Sequence, residues 1–112
     1  MDESLAAQEL NKAFLTRQNG NEGMARVLAR RAAGLSIREY LASKGIDQRG
    51  LSLNALLKDE TVRKYIPLST HESLDRLSAR IGIDFSFPTD FDLLLDAKMV
   101  IDQLSINNGV KI

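Results

Sequence analysis

Few of the side chains in this 112-residue sequence could do chemistry. There is no cysteine and one histidine, which excludes thiolate nucleophiles, cysteine-ligated metal sites and acid–base chemistry by paired histidines. We expect that histidine, His71, to be an exposed residue at the start of a helix rather than a base or a ligand. The carboxylates of Asp90, Asp92 and Asp96 suit Mg²⁺ or Ca²⁺, but only the last two share a helix face. Since no glycine-rich phosphate loop or glycine-flanked serine is present either, we predict a protein that is not an enzyme and has no metal or cofactor.

Basic side chains are concentrated early in the sequence and acidic ones late. Residues 17–49 hold seven basic and three acidic side chains, whereas residues 81–112 hold two basic and five acidic ones. Arginine forks suit phosphate oxygens, so the basic half could contact a nucleic acid or an acidic partner. The net charge of zero and a pI near 6.6 are atypical of a dedicated DNA-binding domain. The candidate contact residues are Arg26, Arg30, Arg31, Arg38, Asn54 and Lys58.

The segment 36–64 resembles a helix-turn-helix unit, in which a second helix enters the major groove of DNA. That second helix would present Asn54 and Lys58 to base edges. Two features depart from the pattern. The connection from Gly45 to Leu51 is longer than the usual turn of about three or four residues. Gly50 also stands where the recognition helix should begin.

The last predicted helix has two apolar faces when its residues are projected at about 100° per residue. The broader face is formed by Leu93, Leu94, Ala97, Val100, Ile101 and Leu104. The other side carries Phe91, Leu95, Met99 and Ile106, among Asp92, Asp96, Asp102 and Gln103. Because aspartates require water, we expect this second side to lie near the surface. Apolar residues ringed by polar ones are typical of an interaction surface; burial in the core is the alternative.

Helix start and stop signals divide the chain into short helices. The predicted helices cover residues 4–18, 22–33, 36 to a stop at Gly45-Ile46, 52–65 with a break near Lys58-Asp59, 69 to a stop at Gly82-Ile83, and 90–106. Residues 84–88 are the one predicted extended segment, because the residue before a proline disfavours helix. The predicted fold class is all-α, a compact single-domain bundle of five or six short helices.

For the second of these helices, the sequence predicts which residues face inward and where the helix ends. We expect Met24, Val27 and Leu28 to face inward and Gly34 to end the helix. Residues 36–39 have the form of a capping box, which would open the next helix.

Composition places the chain among globular proteins, with 44% apolar and 27% charged residues, and its length suits one domain over 1–112. No apolar run could span a membrane, and the acidic N-terminus lacks an apolar signal core, so we expect a cytoplasmic protein with no membrane contact. The leading hypothesis is a non-catalytic protein–protein interaction module: an adaptor, chaperone, inhibitor or immunity-type protein. It would bind a protein partner or its own copy through the second face of the last helix. The alternative is a small DNA-binding regulator that uses residues 36–64.

Overall fold

A computed structural model describes residues 4–47, 50–79 and 91–107 of the chain. Within those residues the protein is helical and has no strand, which confirms the predicted all-α class. The α-helices are α1 (Leu5–Gln18), α2 (Glu22–Ser43), α3 (Leu53–Leu56), α4 (Glu60–Arg63), α5 (His71–Ser78) and α6 (Leu93–Asn107), and a 3₁₀ helix (Leu68–Thr70) precedes α5. The extended segment predicted near 84–88 lies outside the described residues.

Helix α2 is the centre of the bundle. It packs against α1, α3 and α6, and α6 packs in addition against α5 and α1. The largest completely buried side chains lie in or next to α2, α3, α5 and α6 and include Ile37, Leu41, Leu56, Leu57, Leu74, Leu77, Leu93, Leu94 and Leu104. The core therefore lies between α2 and α6, with the short helices α3 and α5 closing it.

The faces that α1 and α2 bury are rich in alanine. They include Ala6, Ala13, Ala25, Ala29, Ala32 and Ala33. Because an alanine side chain is a single methyl group, two such faces can approach closely and still fill the space between them. The larger Met24 and Val27 are exposed and Leu28 is half-buried. The prediction that these residues face inward was wrong for Met24 and Val27, since small residues occupy the inward positions, whereas Leu28 does pack against the core.

The predicted break at Gly34 was also wrong, because α2 continues through it to Ser43. A Cβ atom added at Gly34 would lie 2.7 Å from the Leu53 carbonyl oxygen and 2.9 Å from Leu53 Cβ. The missing side chain therefore allows the start of α3 to approach α2, and it does not mark a helix end. Ser36 is buried inside the continuous helix, so the predicted capping box is absent.

Two other predicted boundaries are confirmed. At the end of α2, Gly45 has a φ of +75°, and the N–H of Ile46 donates to the Leu41 carbonyl at 2.9 Å, as in a Schellman cap. The predicted break near Lys58-Asp59 separates α3 from α4. Asp59 begins α4 by accepting a hydrogen bond from the Val62 N–H at 2.9 Å.

Candidate functional site

Helix α6 presents an apolar row to the outside of the bundle. The broad face predicted from the sequence is buried as expected, and only Ile101 in it is half-buried. On the opposite side the exposed fractions are 41% for Phe91, 55% for Leu95 and 44% for Met99. Leu95 and Met99 are one helical turn apart on α6, and Phe91 lies two residues before its start. We call these three residues the α6 patch. The side chain of Ile106, the fourth predicted member, lies outside the described part of the structure.

The ring of Phe91 is held in place by a neighbouring cation. Arg76, on α5, has its guanidinium carbon 4.5 Å from the centre of that ring, within the range of a cation–π contact. The guanidinium is itself fixed, because its Nε and Nη2 donate to the two carboxylate oxygens of Asp96 at 2.9 and 2.7 Å. These bonds also raise the pKa of Arg76. The aromatic end of the patch is thus supported from α5.

The environment of Asp96 differs from the sequence-based expectation. We expected it to face water, but it is buried, with 7% of its surface exposed. Its carboxylate accepts from Arg76 and also from the Ser73 hydroxyl, at 3.1 Å. The charge is therefore balanced by α5 instead of by solvent.

A second ion-pair cluster fixes the beginning of α6. Arg17, at the end of α1, donates to Asp92 at 2.8 and 2.9 Å and to Glu22 at 2.9 and 2.7 Å. Asp92 also accepts from the Leu94 N–H at 3.0 Å, and so it caps α6. Hydrogen bonds from Arg17 lower the pKa of both carboxyl groups. This cluster joins α1, α2 and α6 beside Phe91.

Polar contacts border the α6 patch on both sides. Lys98 Nζ lies 2.8 Å from Asp102 Oδ2 on the exposed side of the same helix. Towards the 3₁₀ helix, the Ser69 hydroxyl donates to the Gln103 side-chain oxygen at 3.0 Å. An apolar centre with a rim of both charge signs is the usual composition of a protein interface.

The candidate basic residues do not form one common surface. Arg31 Nε donates to Glu9 of α1 at 2.8 Å, and Arg26 Nε lies 3.4 Å from Glu22. Both cations are therefore partly neutralised within the bundle. They differ in this from the free arginines of a nucleic-acid surface.

The other two candidate arginines interact with backbone. Arg38 Nη2 donates to the Leu51 carbonyl at 2.8 Å, and its buried Nε has no acceptor among the described residues. Arg30 Nε donates to the Leu77 carbonyl at 2.9 Å, near the end of α5. These contacts tie α2 to the chain that follows it and to α5.

One cavity does bring three of the candidates together. Arg30, Asn54 and Lys58 line a cavity of about 190 Å³ between α2, α3 and the end of α5. The helix on which Asn54 lies, α3, is only four residues long. It is one turn, shorter than the recognition helix that the resemblance to helix-turn-helix proteins implies.

The described residues show few other features that indicate a function. They contain no group of three His, Asp or Glu side chains that could hold a metal ion, and no helix long and apolar enough to cross a membrane. His71 is half-buried instead of exposed, and its Nε2 donates to the Arg63 carbonyl at 3.1 Å.

Sequence reasoning missed Arg17 and Arg76, the two cations that support the patch. Their partners Asp92 and Asp96 lie 75 and 20 residues further along the chain, beyond any helical spacing rule. One signal points to them: an aspartate on an otherwise apolar helix requires either water or a cation, and Asp92 and Asp96 each meet a cation.

No protein family, curated protein or solved structure matches this chain.

Proposed function

We propose that this protein is a non-catalytic interaction module that binds a protein partner, or a second copy of itself, through the α6 patch. The observation that carries the proposal is the exposed row that Phe91, just before α6, forms with Leu95 and Met99 of α6, a helix whose opposite face is buried in the core. A helix that is apolar on both sides needs a second apolar neighbour for its outer side.

The way in which Phe91 is held supports this proposal. Immobilising a flexible side chain at an interface costs about 0.5–1.5 kcal/mol. The contact with Arg76 restricts the ring before any partner arrives, and Asp96 restricts Arg76 in turn. A preorganised aromatic residue in one row with the adaptable Met99 has the character of an interface hot spot.

Substitution Leu95→Asp tests the proposal, with Leu15→Asp as the matched control. Both leucines lie on α-helices and are similarly exposed, at 55% and 59%, but Leu15 is on α1 and outside the patch. Both variants should keep the helical circular dichroism of the parent, because neither side chain is in the core. Sedimentation equilibrium measures self-association, and crosslinking followed by affinity capture measures binding of other proteins.

We expect that an association of the parent protein is lost in Leu95→Asp and kept in Leu15→Asp. If every association survives in Leu95→Asp, or if both variants lose it equally, the α6 patch is not the docking surface. Unfolding of Leu95→Asp alone would place Leu95 in the core and would remove the support for the proposal.

The alternative hypothesis, a DNA-binding regulator based on residues 36–64, stays a prediction. Its test is the loss of DNA binding when Arg30, Arg31 and Arg38 are replaced by neutral residues. A module that binds proteins through α6 has no such binding to lose.

A further inference from the structure

The arginines of this protein fall into two groups by the acceptors that they contact. Within the described residues, five of them pair with a carboxylate: Arg17, Arg26, Arg31, Arg63 and Arg76. Arg30 and Arg38 instead donate to backbone carbonyls. A carbonyl carries only a partial negative charge, so it offsets a guanidinium less than a carboxylate does.

Arg30 also lines a cavity, between α2, α3 and the end of α5. Arg30 is partly withdrawn from water, and this burial lowers its pKa, with a smaller contribution from the like charge of Arg26 one turn earlier. Its one described hydrogen bond, to Leu77, uses Nε, so the two Nη groups remain to meet an acceptor. An anion from solution would stabilise a guanidinium that is partly buried and has unused N–H donors.

The cavity beside Arg30 has the composition that such an anion requires. Lys58 brings a second cation, and the Asn54 amide brings neutral N–H donors. No Asp or Glu is among the described residues that line it; the remainder are Leu57, Leu77, Ser78 and Ala79. Two basic residues line one space with no acidic residue among its described lining, which leaves a local excess of positive charge.

The cavity is open to solvent on one side and has room for a small anion. It holds about 190 Å³, where a single water needs on the order of 10–15 Å³. A tetrahedral oxyanion fits in such a space. A nucleic acid instead requires a series of free cations along its backbone, and most arginines described here are already paired within the bundle.

We propose that the cavity lined by Arg30, Asn54 and Lys58 binds a single phosphate group. The Arg30 guanidinium and the Lys58 ammonium neutralise its charge, while the Asn54 amide donates to a third oxygen. The group is either free inorganic phosphate or the terminal phosphate of a small monoester. The site is separate from the α6 patch, so it stands or fails independently of the proposed function.

Titration followed by ¹⁵N–¹H NMR tests this proposal. Inorganic phosphate is added at constant ionic strength, with chloride as the compensating ion, and ribose 5-phosphate is titrated in a second series. We expect saturable shifts of the amide signals of Lys58, Leu77 and Ala79. Tighter binding of the sugar phosphate identifies a monoester as the ligand, whereas equal or weaker binding identifies free phosphate.

The variant Lys58→Gln has a matched control in Lys64→Gln, which removes the same charge from an exposed position outside the cavity. We expect Lys58→Gln to weaken phosphate binding about tenfold or more, as for one charge-assisted hydrogen bond, and Lys64→Gln to leave it unchanged. Arg30→Gln should abolish binding. If Arg30→Gln does not fold, Lys58→Gln together with Asn54→Ala carries the test.

Three results would overturn the proposal. The first is the absence of saturable shifts with either phosphate, and the second is equal weakening in Lys58→Gln and Lys64→Gln. The third is binding of a DNA duplex through many phosphates, seen as a steep decrease of affinity with salt that neutral replacement of Arg30 abolishes.

Discussion

Arg17 donates from both Nη atoms to the two carboxylate oxygens of Asp92, at 2.8 and 2.9 Å. The two residues are 75 positions apart, and this ion pair connects the end of α1 to the start of α6. Asp92 precedes α6 and follows Phe91 directly. The position of the exposed ring is therefore set from two directions, by Arg17 through the backbone and by Arg76 through the ring face.

Replacing Arg17 by Met should lower the free energy of unfolding by about 1–2 kcal/mol, the sum of two partly exposed, well-aligned ion pairs. Urea denaturation at neutral pH measures the change. Lys98→Met is the control, because its pair with Asp102 is exposed and joins no two helices. If Lys98→Met lowers the free energy of unfolding as much as Arg17→Met does, the Arg17 cluster stabilises the protein no more than an exposed ion pair.

The same cluster predicts a dependence of stability on pH. Arg17 lowers the pKa of Asp92 and Glu22 in the folded protein, so folding is favoured when both are ionised. This stabilisation is complete above the ordinary pKa values of about 3.9 and 4.3, and it is lost as the pH falls below them. We expect the unfolding free energy of Arg17→Met to decrease less than that of the parent between pH 6 and 3. Parallel curves would contradict this account.

Asp96→Asn should destabilise the protein by about 2–4 kcal/mol, because it removes the buried carboxylate that Arg76 contacts at 2.7 Å and leaves only the exposed Glu72, 3.9 Å away. The carboxylate is buried, whereas Asp102 on the same helix is exposed. Asp102→Asn therefore serves as the control, with an expected change below about 1 kcal/mol. Thermal or urea unfolding measures both. If Arg76→Met restores part of the stability in the double variant, the loss comes from the uncompensated cation.

Gly34→Ala and Gly23→Ala should have opposite effects, although both lie in α2. Alanine favours helix over glycine by up to about 1 kcal/mol. At Gly23 the nearest atom to an added Cβ is Asn21 Oδ1 at 3.9 Å, so that substitution should leave stability unchanged or raise it. At Gly34 the Cβ would collide with Leu53, at an overpacking cost of about 1–3 kcal/mol that outweighs the gain. Equal unfolding midpoints for the two variants would contradict the close contact between α2 and α3.

We expect no binding of a mixed-sequence DNA duplex in a fluorescence-anisotropy titration at low and then moderate salt. Arg26 and Arg31 are paired with carboxylates, and the helix that carries Asn54 is a single turn. Binding that weakens steeply with salt would instead favour the regulator hypothesis and would direct attention to the sequence that is read.

The sequence predicted those parts of the fold that depend on local chemistry. The Gly45-Ile46 stop and the break before Asp59 follow from hydrogen bonds within a few residues, and both are confirmed. The inward alanines and the role of Gly34 were not predictable in the same way, because both depend on the helix that packs against α2. A glycine that ends a helix and one that admits a neighbouring helix look alike in the sequence. Only the position of Leu53 distinguishes them.

The candidate site, like the fold, was predictable only where it depends on residues close together in the sequence. The helical projection identified the row that begins at Phe91 and the opposite buried stripe. It could not identify the cations that hold Phe91 and Asp92, because those come from other helices.

The two sides of α2 differ in the substitutions that we expect them to tolerate over evolution. At Ala25 and Ala29, where no surface is exposed, any larger residue has nowhere to go without separating the packed helices. Met24 and Val27, on the outward side, are free to vary in size and polarity at little cost. The neighbouring positions of one helix thus evolve under opposite constraints, and substitutions will accumulate on the side where the side chains are large.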